Sequence, residues 1–115
     1  MDDDVEVTRP RESVAVLAIR GSHDCSTEHE LEALLDDAIS SSKLVVVDVT
    51  DADFVDSSFL HNLVKAHRNA PARGSRFVLQ LGTAPIVRRV LEISGLLEEM
   101  ECASSREDAL SRATA

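Results

Sequence analysis

Two serines stand side by side, directly after Asp56, in the stretch DVTDADFVDSSFLHNLVKAHRNA, residues 48–70. Hydroxyls at the end of an apolar run can do three kinds of work. They can accept a backbone N–H and cap a helix, act as a nucleophile, or carry a phosphate that switches local charge. A nucleophilic serine needs a base within reach and a turn that exposes it. His61 follows Ser57 by four positions, about one helical turn, where it could pair locally. The flanking glycines of a Gly-x-Ser-x-Gly elbow are missing, however, so no catalytic residue is assigned.

Two other clusters invite chemistry. His23, Asp24, Cys25 and His29 offer ligand types that suit zinc, but structural zinc takes four ligands, usually Cys-rich. A turn leading into a helix explains these residues without a metal. Gly74 and Gly82 are too far apart to form a phosphate-cradling loop. Neither a metal nor a cofactor is expected.

The elements that must position the serines follow from periodicity. Val5 and Val7, a turn at TRPRES, and the run Val14–Ile19 predict a strand pair, closed by Gly21. Thr27 with Glu30 has capping-box spacing, and Leu31, Leu34, Leu35, Ala38 and Ile39 fall on one helical face. The β-branched run Leu44–Val49 predicts a parallel strand covered on both sides. After the serines, Leu60, Leu63, Val64 and His67 share a helical face that ends before Gly74. Arg76–Leu81 predicts a further strand, and Pro85 opens a helix that Gly95 terminates. A short strand near Met100 and Cys102 and a last helix capped by Ser104 or Ser105 complete the chain. The expected order is β-β-α-β-α-β-α-β-α: an α/β fold with a mixed, mainly parallel sheet of four to five strands and about four helices.

Composition narrows the setting. A chain of 115 residues fits one domain over 1–115, with an acidic tail at 1–4. No apolar run approaches membrane-spanning length, and Met1–Asp4 lacks the features of a signal peptide. Two distant cysteines predict reduced thiols and a cytoplasmic location. The net charge of −9, with three Phe as the only aromatics, argues against nucleic acid and anionic membrane as partners. Charge is also segregated: residues 1–56 carry −11, residues 57–91 carry +6 without one acid, and residues 92–115 carry −4. The sign changes at the double serine.

Three motifs, in this order, carry a resemblance to a known family. They are Gly21-Ser22-His23-Asp24, then Val47-Asp48-Val49 leading to Phe54-Val55-Asp56-Ser57-Ser58, then APIVRRVLEISGL. Together the chain resembles a STAS domain of the anti-sigma factor antagonist type, from about Val14 to Leu110. The first motif is similar to Gly-Glu-Leu-Asp, with Ser22 at the Glu position. The second is similar to Asp-Ser-Ser-Gly-Leu, with Phe59 where Gly is usual.

The resemblance implies that Ser57 is the serine phosphorylated by a partner kinase. It puts Ser58, Asp56, Asp24, Phe59, His23 and Leu60 at the partner-binding site, with Phe59 as either an exposed anchor or a buried filler. The implied partners are an anti-sigma factor that is itself a serine kinase, and a PP2C-type phosphatase. Unphosphorylated chain would bind the anti-sigma factor and free its sigma factor, and phosphorylation would break that complex. The other use of the fold is as a non-catalytic adaptor of an ABC-type lipid transporter or of a signalling scaffold.

Overall fold

The computed structural model describes residues 4–23, 25–82 and 85–114, without the side chains of Cys25, Ile86 and Thr114. Its five strands are β1 (Asp4–Arg11), β2 (Val14–His23), β3 (Leu44–Val55), β4 (Arg76–Gln80) and β5 (Cys102–Ala103). They form one sheet in the order β1-β2-β3-β4-β5. β1 runs antiparallel to β2, and every other pairing is parallel. The helices are α1 (Glu28–Ser41), α2 (Ser57–Asn69), α3 (Pro85–Ile93), α4 (Leu96–Glu99) and α5 (Arg106–Leu110). This is the expected α/β order with one addition, the single turn α4.

The pleat decides how the helices are distributed. Ala15, Leu17, Ile19, Val45, Val47, Phe77 and Leu79 point to one side. There they pack against Leu31, Leu35, Ala38 and Ile39 of α1, Leu63 and Ala66 of α2, and Val87 and Leu91 of α3. Val14, Val16, Leu44, Val46 and Val78 point to the other side, where Ala109 of α5 covers them. Strands buried on both faces account for the unbroken run of β-branched residues in β3.

The TRPRES stretch, expected to be a turn, is mostly strand. β1 continues to Arg11, and a register shift between Thr8 and Arg11 takes up an extra residue. Pro10, which lacks an N–H, is tolerated because β1 is a sheet edge. The acidic tail falls outside the described residues up to position 3, while Asp4 already belongs to β1, 3.8 Å from Arg20.

β3 does not end with the apolar run. Opposite β2 its register slips twice, between Asp48 and Asp51 and again between Ala52 and Phe54. Each slip adds a residue to β3 and reverses which side the following residues face. Val49, Ala52 and Val55 therefore all reach the helix-side core at a spacing of three. Thr50-Asp51 and Asp53-Phe54 are left as adjacent exposed pairs.

The segregated charge is consumed largely within the molecule. Lys65 pairs with Glu32, Arg68 with Glu99 at 3.6 Å, Arg73 with Asp36 at 4.0 Å, and Arg76 with Glu101 at 2.7 Å. The basic segment thus meets carboxylates from both acidic flanks. Each exposed pair is worth only ~0–1 kcal/mol. Glu101 is the best held of these acids, because it receives Nε and Nη2 of Arg76 at 2.8 and 2.7 Å and also Nη1 of Arg112.

The Arg76 hydrogen bonds, aided by Arg112 and opposed by burial, hold the Glu101 carboxyl below the usual carboxylate range. A carboxyl with a lower pKa folded than unfolded stabilises the fold above the unfolded value. That stability is lost as pH falls through the folded value. Urea midpoints should therefore fall as pH drops from about 5 to about 3, and more gently in Glu101→Gln. Equal slopes in the two chains would show that folding does not hold the Glu101 carboxyl below its unfolded value.

Candidate functional site

Ser57 is the first residue of α2 and is exposed. The cap of that helix is the residue before it. Asp56 Oδ1 accepts the Ser58 N–H at 3.0 Å, the Phe59 N–H at 3.2 Å and the Ser58 hydroxyl at 2.7 Å. The Asp56 carbonyl takes the Leu60 N–H at 3.1 Å, and the Asp56 N–H donates to the His23 carbonyl at 3.2 Å. The sequence expectation that Ser57 or Ser58 caps α2 is corrected accordingly. Asp is as good a cap as Ser, and here it stands where the extended strand meets the helix.

At the start of α2 one carboxylate thus already answers the amides of Ser58 and Phe59. Among the described residues no hydrogen bond engages the Ser57 hydroxyl, and none joins it to His61. Ser57 is a free hydroxyl on a fixed backbone.

Beneath the serines, Phe59, which stands where the family motif usually has Gly, meets His23 of the first motif. Phe59 is 2% exposed and His23 1% exposed, with ring centroids 5.9 Å apart. Both were expected at the partner-binding site, Phe59 as either an exposed anchor or a buried filler; Phe59 is the buried filler, and the His23 side chain is buried with it. Phe59 fills the space where a glycine would leave a gap, and His23 is the neighbour that closes it. The His23 ring is fixed by its bonds: Nε2 lies 2.8 Å from the Arg20 carbonyl, to which it donates, and Nδ1 lies 3.2 Å from the Thr27 hydroxyl. Thr27, at the N-cap of α1, makes no side-chain cap bond; its backbone, at φ −107° and ψ 3°, is not in the extended conformation usual for a cap. The capping box read from Thr27 and Glu30 does not form.

Of the other expected residues, Ser58 and Leu60 are half-buried beside Ser57, and Asp24 lies outside the described residues. One supporting residue gave no signal in the sequence. Asn62, 3% exposed, donates Nδ2 to the Glu28 carbonyl at 3.1 Å and ties the second turn of α2 to the start of α1. In the zinc-like cluster, His23 is turned inward to Arg20 and Thr27, and the Asp24 and Cys25 side chains lie outside the described residues.

Ser57 does not line the cleft of about 620 Å3 that lies past the end of β4, beside Thr50 of β3, and is lined by Thr50, Gln80, Gly82, Arg88, Cys102 and Ser105, among others. The Cys102 thiol is pushed up by burial and so is a poor nucleophile. Behind it Asp48, 8% exposed, meets Arg106 at 3.0 Å, and Arg106 also donates to Gln80 at 3.2 Å. That network fastens α5 to the sheet. No helix among the described residues is long and apolar enough to cross a membrane.

The STAS domain model matches residues 7–109. Among solved structures, the anti-sigma factor antagonist SpoIIAA in its unphosphorylated form superposes with a TM-score of 0.81 at 23% identity, over 96% of each chain. Its phosphorylated form, from Bacillus, gives 0.74 at 22% identity, over 96% of this chain and 99% of that one. An anti-sigma factor antagonist from Mycobacterium paratuberculosis gives 0.86 at 21% identity, over 99% and 96%. A sulfate transporter family protein from Wolinella succinogenes gives 0.76 at 18% identity, over 93% and 89%. No curated protein sequence matches the chain.

Proposed function

Because the chain belongs to the STAS domain family, we propose that it is an anti-sigma factor antagonist of the cytoplasm whose partner exchange is set by phosphorylation of Ser57. The observation that carries this reading is the division of labour at α2. Asp56 holds the helix start, and the exposed Ser57 hydroxyl is left without a structural task. In the unphosphorylated state the surface around Ser57, Ser58 and Leu60 binds an anti-sigma factor and releases its sigma factor. The anti-sigma factor is also the kinase: Ser57 Oγ attacks the γ-phosphorus of ATP, its proton passes to a base on the kinase, and ADP leaves. A PP2C-type phosphatase returns the hydroxyl by hydrolysis. The antagonist itself performs no chemistry.

Charge explains why the modified form lets go. A phosphate adds about −1.5 to −2 charges. At Ser57 it finds the nearby α2 amides already taken and the Asp56 carboxylate next to it, so its own chain offers little to balance it. Bringing a partner onto that group means stripping its water without replacing it. The test is a titration of the anti-sigma factor kinase of the same genome with Ser57→Ala and Ser57→Asp chains. Ser57→Ala should bind like unphosphorylated parent, and Ser57→Asp at least about tenfold more weakly, ~1.4 kcal/mol. Equal affinities would remove the switch from this reading.

The likeness to a sulfate transporter family protein supports the other use of the fold, a non-catalytic adaptor of a transporter or scaffold. An adaptor holds its partner whatever the state of Ser57, so phosphorylated chain co-purifying with such an assembly would favour it.

A further inference from the structure

The second register slip of β3 places one side chain against the usual rule. With regular alternation after Ala52, Phe54 would turn into the helix-side core. Asp53 is the inserted residue, so Val55 takes the inward place and Phe54 turns out. Phe54 is 46% exposed, one of three large hydrophobic residues so placed among the described residues, the others being Val7 in β1 and Ile93 in α3. A bulge that turns an aromatic ring into water, three residues before the proposed switch serine, is a feature that packing does not require.

Its flanks are charged and unanswered. Asp51 and Asp53 are exposed, and among the described residues neither is in an ion pair, whereas four cations of the basic segment are already paired elsewhere. The exposed ring thus follows two exposed carboxylates that are in no ion pair among the described residues, on the stretch of β3 that leads to Ser57. A surface that covers it must bury an aromatic ring and neutralise acids, which calls for an apolar socket with Lys or Arg on its rim.

We propose that Phe54 is the apolar anchor with which the chain docks on its anti-sigma factor, in a socket rimmed by basic side chains that answer Asp51 and Asp53. The identity of the partner rests on the function proposed above. The chemistry of the socket rests on Phe54 and its neighbours alone. Anchor and switch, three residues apart in the chain, then have separate tasks: Phe54 sets how long the complex lasts, the two aspartates set how fast it forms, and Ser57 sets whether it forms at all.

The experiment measures association and dissociation rates of the purified full chain with the anti-sigma factor kinase that the Ser57→Ala chain binds, at low and high salt. Phe54→Ala should weaken binding roughly thirtyfold, chiefly through faster dissociation. Phe54→Trp should stay within about threefold of the parent, since the socket accepts an aromatic ring. The chain has no other Trp, so the emission of that variant, over that of the kinase, should move to the blue on binding.

Asp51→Asn with Asp53→Asn should slow association and flatten its salt dependence. A Phe54→Ala chain that folds by circular dichroism and binds within about twofold of the parent, while Ser57→Asp does not bind, overturns the anchor and leaves the proposed function standing. An unchanged salt slope in the double Asn chain overturns the basic rim. A kinase that binds neither the Ser57→Ala chain nor the parent removes the proposed function, and the anchor's partner with it.

Discussion

A Phe59→Gly chain, which restores the residue usual in the Asp-Ser-Ser-Gly-Leu motif, is expected to lose about 4–6 kcal/mol of folding stability. Removal of a buried Phe side chain costs ~3–5 kcal/mol in transfer and cavity terms. A glycine inside a helix adds about 1 kcal/mol relative to alanine. Phe59 is 2% exposed and belongs to the same core as Leu63, Val55 and Ala52. Its loss also strips the His23 ring of its aromatic neighbour, leaving a polar ring beside an empty space. Total stability of ordinary domains is about 5–15 kcal/mol, so the variant loses a large fraction of it and is partly unfolded at room temperature if the parent lies at the low end of that range. Phe59→Leu should cost no more than about 1.5 kcal/mol, because volume is nearly kept. Urea unfolding followed by circular dichroism compares the three chains. A Phe59→Gly chain within about 1 kcal/mol of the parent would mean that the site collapses around the gap and that Phe59 is not structural.

The second large effect belongs to Gly82, just past the end of β4. An added Cβ there would lie 2.6 Å from the Cα of Thr50 and 3.2 Å from its Cβ and Cγ2. The closest atom is backbone, so no rotamer change relieves the clash. The chain after β4 must instead move off β3. Overpacking of this kind costs typically ~1–3 kcal/mol, and backbone contact places Gly82→Ala at the upper end. Thr50 cannot easily retreat, because its N–H bonds Asp48 Oδ1 at 2.9 Å, and Asp48 in turn holds Arg106. A loss of about 3 kcal/mol would lower Tm by roughly 10–15 °C for a chain of this length. Thr50→Ala should not rescue it, since the nearest atom remains. A Tm within about 2 °C of the parent would show that the approach of β4 to β3 is looser than the distances imply.

The sequence carried the architecture where one periodicity dominates. The spacing Leu31, Leu35, Ala38, Ile39 marked α1, and the run Leu44–Val49 marked a strand covered on both faces, because burial of those residues is the main term in each case. It failed where two local preferences compete. Thr27 and Glu30 have the spacing of a capping box, yet the Thr27 hydroxyl lies against His23, a partner that only the fold supplies. The half of β3 from Thr50 to Val55 reads as loop, because two register slips erase the alternation that identifies a strand.

At the site, the junction at Asp56-Ser57-Ser58 was legible from the change of period. Which residue caps was not, since Asp and Ser are equally good at it. Nor could sequence tell that Phe59 lies inside while Phe54 lies outside, because that assignment depends on the count of residues in a bulge. The Asp48–Arg106 pair, 58 positions apart, had no local signal at all.

Capping by Asp56 has a consequence for how a signal can be stored here. A residue that holds up a helix cannot be altered without altering the shape of the molecule, and its chemical state is then read as a distortion. Ser57 is spared that duty. On the function proposed above, its two states would differ in what stands on the surface while the scaffold underneath stays the same. The domain would then act as a token rather than a lever, holding one bit without strain for whichever protein touches it next. A substitution at residue 57 would rewrite that bit and leave the helix start, which Asp56 holds, as it is.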